Sequence, residues 1–355
     1  MGFSIKRILG LSLIASLIFS NSTLADVNNE IKRIVQSTKN VVGVTAIHIE
    51  TNRKITFNGN KPFLMASTVK VPIAITLLHR VDQRKENLHR VLHLRLQDSV
   101  PGSGTLFYLL NNQHVTTSMN TLLRLMLTIS DNTASDVILR SVNGPAGVRQ
   151  RLHELGLNHI LVDRSIRNFY LDAKGVDPIS RPHINKARDW DLAFRHTPTD
   201  KKILAWQAME TDNRDTTTPD DMALLLSRLY KRQLISAANT DLLLDIMGKC
   251  KTGRERIKGL LPPNAKVANK TGTWAITPTD LLDNAETKKL FRFASDVGII
   301  TLPQNRGHIA IAVYTKSTDY SDHNRDRTIA LISRAVYNYF LLNSRPIPVK
   351  KIKSV

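Results

Sequence analysis

Cysteine is nearly missing from this chain: Cys250 stands alone among 355 residues. One thiol excludes an internal disulfide, so the fold must hold by packing. No second feature marks Cys250 as a reactive thiol, and it reads as a small buried filler. Acidic residues are also short. There are 30 Asp and Glu against 50 Lys and Arg, a formal net charge of +20. Repeats and low-complexity stretches are absent, and the 42% hydrophobic and 23% charged composition is that of an ordinary globular chain. That length suffices for two interlocked subdomains around substantial cores.

The apolar run at 8–19 is too short to span a membrane. It follows Lys6 and Arg7 and precedes Thr23-Leu24-Ala25, so 1–25 reads as a secretory leader, with a periplasmic or secreted destination after cleavage near Ala25. Its removal takes away two cations and no anion, which leaves a net charge of +18. No cysteine stands at the cleavage site to carry a lipid anchor. The cations run along the whole chain and end in a basic tail at 346–355, beside Arg345. This excess suits a solvated face with a disordered tail, or else attraction to an anionic cell envelope. Nucleic acid fits poorly, because no groove-reading motif is present.

Apolar residues recur at helical spacing over 26–39, and β-rich stretches follow at 41–50 and 54–57 about a turn at Thr51-Asn52-Arg53. After Ser67 the apolar positions are dense enough for a buried helix. Helical patterns then dominate to about residue 260, with 121–129 and 222–229 the clearest. β character returns at Val267, 297–302 and 309–314, and 325–342 closes as a helix. This order predicts an α/β lobe from 26–66 and 264–345, whose terminal strands share one sheet, and an all-helical lobe from 67–263. A site should then lie in the cleft between lobes.

Three motifs carry chemistry: Ser67-Thr68-Val69-Lys70, Ser130-Asp131-Asn132 and Lys270-Thr271-Gly272. They supply a nucleophile beside an amine, a second hydroxyl with a carboxamide, and a cation beside a glycine. Alone, Ser-x-x-Lys is weak, since about one is expected by chance in a chain this long. Lys-Thr-Gly is unsafe too, because Lys251-Thr252-Gly253 repeats it. That copy runs into the polar segment Arg254-Glu255-Arg256-Ile257-Lys258, whereas Lys270 follows Pro262-Pro263 and a β-capable stretch, so Lys270 is preferred. Together, in this order, the three are a strong signature of acyl transfer to serine. Ser67 at a helix start faces unpaired amides, and Lys70 lies one turn on along the same face. Burial and the nearby Lys270 charge would lower the Lys70 pKa and let it act as a base.

The surroundings of these motifs add Pro101-Gly102-Ser103-Gly104, Arg214-Asp215-Thr216-Thr217-Thr218-Pro219, Gly259-Leu260-Leu261-Pro262 and Asp296-Val297-Gly298-Ile299-Ile300. With them, about 30–342 resembles the class A β-lactamases and related penicillin-binding proteins, in particular the extended-spectrum Gram-negative branch. The resemblance implies a two-lobed serine β-lactamase/DD-peptidase-like α/β fold, with an antiparallel sheet flanked by helices. It implies Ser67, Lys70 and Ser130 as catalytic residues, with Ser130 relaying a proton to the leaving nitrogen. Asn132 would bind the substrate's side-chain amide, and Lys270 would hold Ser130 and attract the substrate carboxylate. Thr271 and Thr273 hydroxyls would bind that carboxylate, and Gly272 would let the strand approach closely. The Ser67 and Thr273 amides would form an oxyanion hole, whose single donors are worth about 3 kcal/mol. No cofactor and no metal are called for. The partner would be a small β-lactam or a D-alanyl-D-alanine peptide, met by a monomer.

One region departs from the pattern. Family members carry a glutamate two residues after a loop arginine, and it activates the deacylating water. Here Val162-Asp163-Arg164 resembles the loop's start and Arg214-Asp215 its end, with Arg164 and Asp215 as the closing ion pair, but Ile166 stands in the glutamate's place. The loop at about 164–215 is also enlarged. A structureless stretch of about fifty residues is improbable, so a helix is expected within it, near 200–209. Glu210, Asp172 and Asp177 are candidate substitutes, though each reads more readily as a solvated surface carboxylate. The departure bears on deacylation and leaves acylation intact. Two enzymatic readings follow, a β-lactam hydrolase and a penicillin-binding relative that holds its acyl group. A third is a basic envelope-binding protein on a retired hydrolase scaffold.

Overall fold

The computed structural model describes residues 23–275, 289–319 and 321–348. The proposed leader lies almost wholly, and the basic tail mostly, outside the described residues.

Helix α1 (Leu24–Thr38) leads into strand β1 (Val41–His48), which turns through Thr51 into β2 (Lys54–Phe57). Thr23 starts α1 as a capping box with Asp26, which satisfies two of the otherwise unpaired terminal amides. The chain returns to this layer only at β7 (Val267–Trp274), β8 (Arg292–Thr301), β9 (His308–Ser317) and α12 (Asp322–Asn343). All five strands pair antiparallel in the order β2-β1-β9-β8-β7. The termini therefore meet in one sheet, with β7 at its edge.

Alternation along β9 explains why the sheet is covered on both faces. Ile309, Ile311 and Val313 join a core with Val27, Ile31, Ile332, Val336 and Phe340 of α1 and α12. Their neighbours Ala310, Ala312 and Tyr314 join a separate core with the helical lobe. Period-two side-chain direction thus divides one strand between two cores.

The helical lobe holds α2 (Lys70–Asp82), the hairpin strands β4 (Val91–Leu94) and β5 (Val115–Ser118), and between them the short α3 (Leu106–Leu110). Next come α4 (Met119–Thr128), α5 (Asn132–Ser141) and α6 (Gly144–Glu154), and later α10 (Pro219–Tyr230) and α11 (Ala237–Gly248). Every residue of α2 from Lys70 to Leu78 is buried, a mostly apolar stretch broken only by Lys70 and Thr76, which makes α2 the lobe's central rod. Short strands β3 (Phe63–Leu64) and β6 (Thr216–Thr217) pair at the junction of the lobes.

The enlarged loop is helical. It contains α7 (Ile166–Ala173), a 3₁₀ turn (Pro178–His183), α8 (Ala187–His196) and α9 (Thr199–Ala208). The helix expected near 200–209 is α9. Small cores hold the segment. Trp190 packs with Phe107, Leu171 and Ile184, and Trp206 with Phe169, Trp274 and Phe293. Enough apolar side chains stand at helical spacing to bury faces of their own, which a bare loop could not do.

Candidate active site

Ser67 lies in a 3₁₀ turn (Ala66–Val69) that runs directly into α2. Ala66 is forced to φ +44°, and Met65 is pinned on both sides of its peptide. Its N–H donates to Asp215 O at 3.0 Å, and its carbonyl accepts from Thr68 N at 3.1 Å and Thr68 Oγ1 at 2.8 Å. Such strain persists only where the surroundings over-determine it.

Lys70 is fully buried at the start of α2. Its ammonium donates to Ser130 O at 2.6 Å, Ser130 Oγ at 3.0 Å and Asn132 Oδ1 at 2.7 Å. These three acceptors belong to the second motif, so in this state Lys70 is aimed at Ser130 and Asn132 rather than bonded to Ser67. Ser130 itself sits at φ +61°, between α4 and α5. Asp131 holds it there by capping α5 through Ala134 N at 2.9 Å. It also accepts Thr105 N at 2.8 Å and Leu106 N at 3.0 Å.

Lys270, also fully buried, reaches across from the sheet edge. Its Nζ donates to Ser130 Oγ at 3.0 Å and to Thr271 O at 2.8 Å. One hydroxyl is thus shared by two ammonium nitrogens from separate lobes. Burial first, then the Lys270 charge, lowers the Lys70 pKa well below that of an ordinary lysine, while Asp131 and Asp136 oppose the shift. Lys270 is lowered to about 8, mainly by burial. Two cations packed against one hydroxyl cannot both hold their protons cheaply.

Gly272 brings strand and serine together. A Cβ built there would lie 2.5 Å from Met65 O and 3.2 Å from Ser67 N, so only a residue without a side chain fits. The outer edge of β7 faces the segment after α11. Thr271 Oγ1 meets Thr252 Oγ1 at 2.6 Å, and Thr273 Oγ1 accepts from Arg256 Nη2 at 2.7 Å. Arg256 is buried and also donates to Gly272 O at 2.8 Å, Ser295 O at 3.0 Å and Asp326 Oδ1 at 2.7 Å. Lys270, Arg256 and two threonine hydroxyls therefore converge on one edge, an arrangement suited to a carboxylate. Taking 254–258 for a polar turn or helical end missed Arg256, and setting aside Lys251-Thr252-Gly253 missed Thr252. The set-aside Lys-Thr-Gly copy packs on the preferred one. Cys250 is buried two residues before Thr252, its Sγ 3.3 Å from the Thr252 hydroxyl.

An amine-flanked serine pair facing an edge suited to a carboxylate is acyl-transfer equipment, and the chain's relatives point the same way. The β-lactamase enzyme family matches residues 26–340. This chain belongs to that family. It is 26% identical over 341 residues to the β-lactamase VEB-1 of Pseudomonas aeruginosa, covering 95% of this chain and 98% of that protein. The TLA-1 extended-spectrum β-lactamase superposes with a TM-score of 0.72 at 26% identity, covering 90% of this chain and all of the other. A β-lactamase from Chitinophaga pinensis gives 0.69 at 25% identity, covering 88% and 98%. The expected class A type fold and the assignment to β-lactam hydrolysis through an acyl-serine stand on these matches.

Within this β-lactamase the enlarged loop closes as the sequence led one to expect. Arg164 Nε meets Asp215 Oδ2 at 2.6 Å, and Nη1 of the same guanidinium meets Asp172 and Asp212, each at 3.1 Å. Beyond Arg164, α7 presents Ile166, Phe169 and Tyr170 to a cavity of about 40 Å³ that Ser67, Asn132 and Trp274 also line. That is room for one or a few waters. The substitute carboxylates are elsewhere. Asp172 is held by Arg164 and by Arg181 at 2.7 Å, Asp177 caps the 3₁₀ turn through Ile179 N at 2.9 Å, and Glu210 follows α9. None of the three lines the Ser67 cavity. Asp136, a further carboxylate, is buried beneath α7. It accepts Ile166 N at 2.7 Å and Arg167 N at 2.9 Å, so its oxygens serve the backbone, and burial raises its pKa.

Asn132 is more engaged than the resemblance implied. Besides Lys70, it donates to Pro101 O at 2.7 Å and stands 3.4 Å from Tyr170 OH. Tyr170 also packs edge-on against Trp274 at 5.1 Å, and Trp206 of α9 stacks on Trp274 at 5.2 Å and 16°. Neither Tyr170 nor Trp274 was legible as a site residue, because each reaches the cavity only through packing of the enlarged loop on β7.

Proposed function

We propose that Ser67 is the nucleophile and that this β-lactamase acylates readily but releases its acyl group slowly. Neutral Lys70 takes the Ser67 proton, directly or through Ser130, as Oγ attacks the lactam carbonyl. The C–N bond then breaks and Ser130 passes a proton to the departing nitrogen, with Lys270 keeping its hydroxyl in place. The Ser67 and Thr273 amides receive the carbonyl oxygen, and Lys270, Arg256, Thr271 and Thr273 hold the substrate carboxylate. Asn132 takes the side-chain amide, for which its amide group must exchange Pro101 or Tyr170 for substrate. The observation that carries this reading is the Ser130 hydroxyl lying 3.0 Å from both Lys70 Nζ and Lys270 Nζ.

Slow release is supported by the lining of the Ser67 cavity, where Ile166 and Tyr170 stand and, among the described residues, the only carboxylate is Asp215, already paired with Arg164. A general base of that kind contributes typically about 10²–10⁴-fold. The same lining favours the second reading, a penicillin-binding relative acting on D-alanyl-D-alanine peptides, in which the acyl group persists. A chromogenic cephalosporin mixed with a known amount of enzyme tests this. A stoichiometric burst followed by a slow steady rate is expected. Fast linear turnover from the start overturns the deacylation argument, and absence of both phases overturns the site. We further propose that the protein acts as a periplasmic or secreted monomer after loss of 1–25, its positive charge drawing it to the anionic envelope. The leader pattern and the net charge support this.

A further inference from the structure

At the far end of α2 from Ser67 is a cavity of about 240 Å³ between α2 and α6. By helix rise, Arg80 stands about 15 Å along the rod from Lys70. His79, Arg80, Lys85 and Arg151 line the cavity, with Glu154 as the one acid among its lining residues. That acid is already engaged, by Arg151 Nη1 at 3.3 Å and Gln150 Nε2 at 3.2 Å. Arg151 is fixed further by Nη2 donating to Leu234 O at 3.0 Å. The Nε atoms of both Arg80 and Arg151 are buried with no hydrogen-bond partner among the described residues.

A cation in the last turn of α2 is favoured by the helix dipole, which accounts for His79 and Arg80 being there. It does not account for Arg80, Lys85 and Arg151 sharing one cavity with a single acid that is already engaged. His79 is biased toward its neutral form, by burial and then by Arg151, and Gln83 shares a bond with its ring at 2.9 Å. Neutral side-chain amides and two forked cations match the oxygens of a compact anion.

We propose that this cavity is a second ligand site, one that takes a small polyanion carrying phosphate or clustered carboxylate oxygens. The anion bridges Arg80 and Arg151, with the exposed Lys85 adding charge at the rim. Because it ties α2 to α6 and touches nothing near Ser67, it stabilises the fold without blocking acylation.

The test uses the full chain, calorimetric titration with pyrophosphate and separately with citrate, and chloride-matched ionic strength. Saturable one-to-one binding of at least one anion is expected, with a matching rise in melting temperature. Which anion binds tells phosphate from carboxylate as the source. Arg80→Gln should weaken binding by about tenfold or more, and Lys85→Gln, on an exposed side chain that the fold does not need, by a few-fold. Acylation by a fluorescent penicillin should be unchanged in both. Lys270→Gln should keep the binding, which separates this site from the carboxylate edge of β7. No saturable binding of either anion overturns the proposal. So does binding unaltered in Lys85→Gln and Arg80→Gln, or binding lost in Lys270→Gln.

Discussion

Adding one methyl group at Gly272 measures how closely sheet and serine approach. In Gly272→Ala the new Cβ would sit 2.5 Å from Met65 O, 2.5 Å from Ser295 Oγ and 3.2 Å from Ser67 N. The serine hydroxyl can rotate away, since its own bonds to Met65 O and Gly272 O are long, at 3.5 and 3.4 Å. Met65 O cannot, because Thr68 holds it through both N and Oγ1. An ordinary contact therefore requires strand and turn to part by about 1 Å, and misplacement on that scale can cost about 100-fold in rate. Overpacking adds about 1–3 kcal/mol of destabilisation. Gly248→Ala is the control, as nothing lies within 4 Å of its added Cβ. Stopped-flow acylation by a fluorescent penicillin and thermal melts read both effects. Gly272→Ala should acylate about 100-fold more slowly and melt earlier, with Gly248→Ala near wild type in both. A wild-type rate in Gly272→Ala would refute the geometry of the cleft.

Lysine titration, loop charge and the carboxylate edge each give a further expected outcome. Acylation needs Lys70 neutral and Lys270 charged, so the rate should fall as pH rises through about 8, where Lys270 loses its proton, and a pH–rate profile flat to about 10 contradicts this. Arg164→Ala leaves Asp215, Asp172 and Asp212 without their shared buried cation, and a loss of about 3–5 kcal/mol is expected by denaturant titration. Arg256→Gln should raise the KM of a carboxylate-bearing cephalosporin more than it lowers kcat, and steady-state kinetics on an uncharged ester of the same compound should show a smaller penalty.

The sheet was legible because near-continuous apolar runs at 297–302 and 309–314 suit strands buried on both faces, and the closing helix because 325–342 carries a helical pattern. Ser67, Lys70, Ser130 and Lys270 were legible because short fixed spacings place chemistry on single elements, and the structure brings Ser130 and both lysines to hydrogen-bond distance. Arg256 was not legible. Its surroundings read as a polar segment, and only the approach of that segment to β7 buries its guanidinium. Tyr170 and Trp274 were hidden for a related reason. Each is an ordinary aromatic locally and becomes part of the Ser67 cavity only when α9 stacks Trp206 upon Trp274. Loop charge was legible as the Arg164–Asp215 pair, but its extension to Asp172 and Asp212 depends on how α7 and the end of the insertion fold back.

A covalent bond at Ser67 is the centre of the proposed chemistry. Intact-protein mass spectrometry after mixing with a penicillin, followed by peptide mapping over time, tests it most directly. One adduct with the mass of the whole antibiotic is expected on the peptide containing Ser67, persisting for many minutes and absent in Ser67→Ala. An adduct on any other residue, or antibiotic consumed by Ser67→Ala, would contradict it.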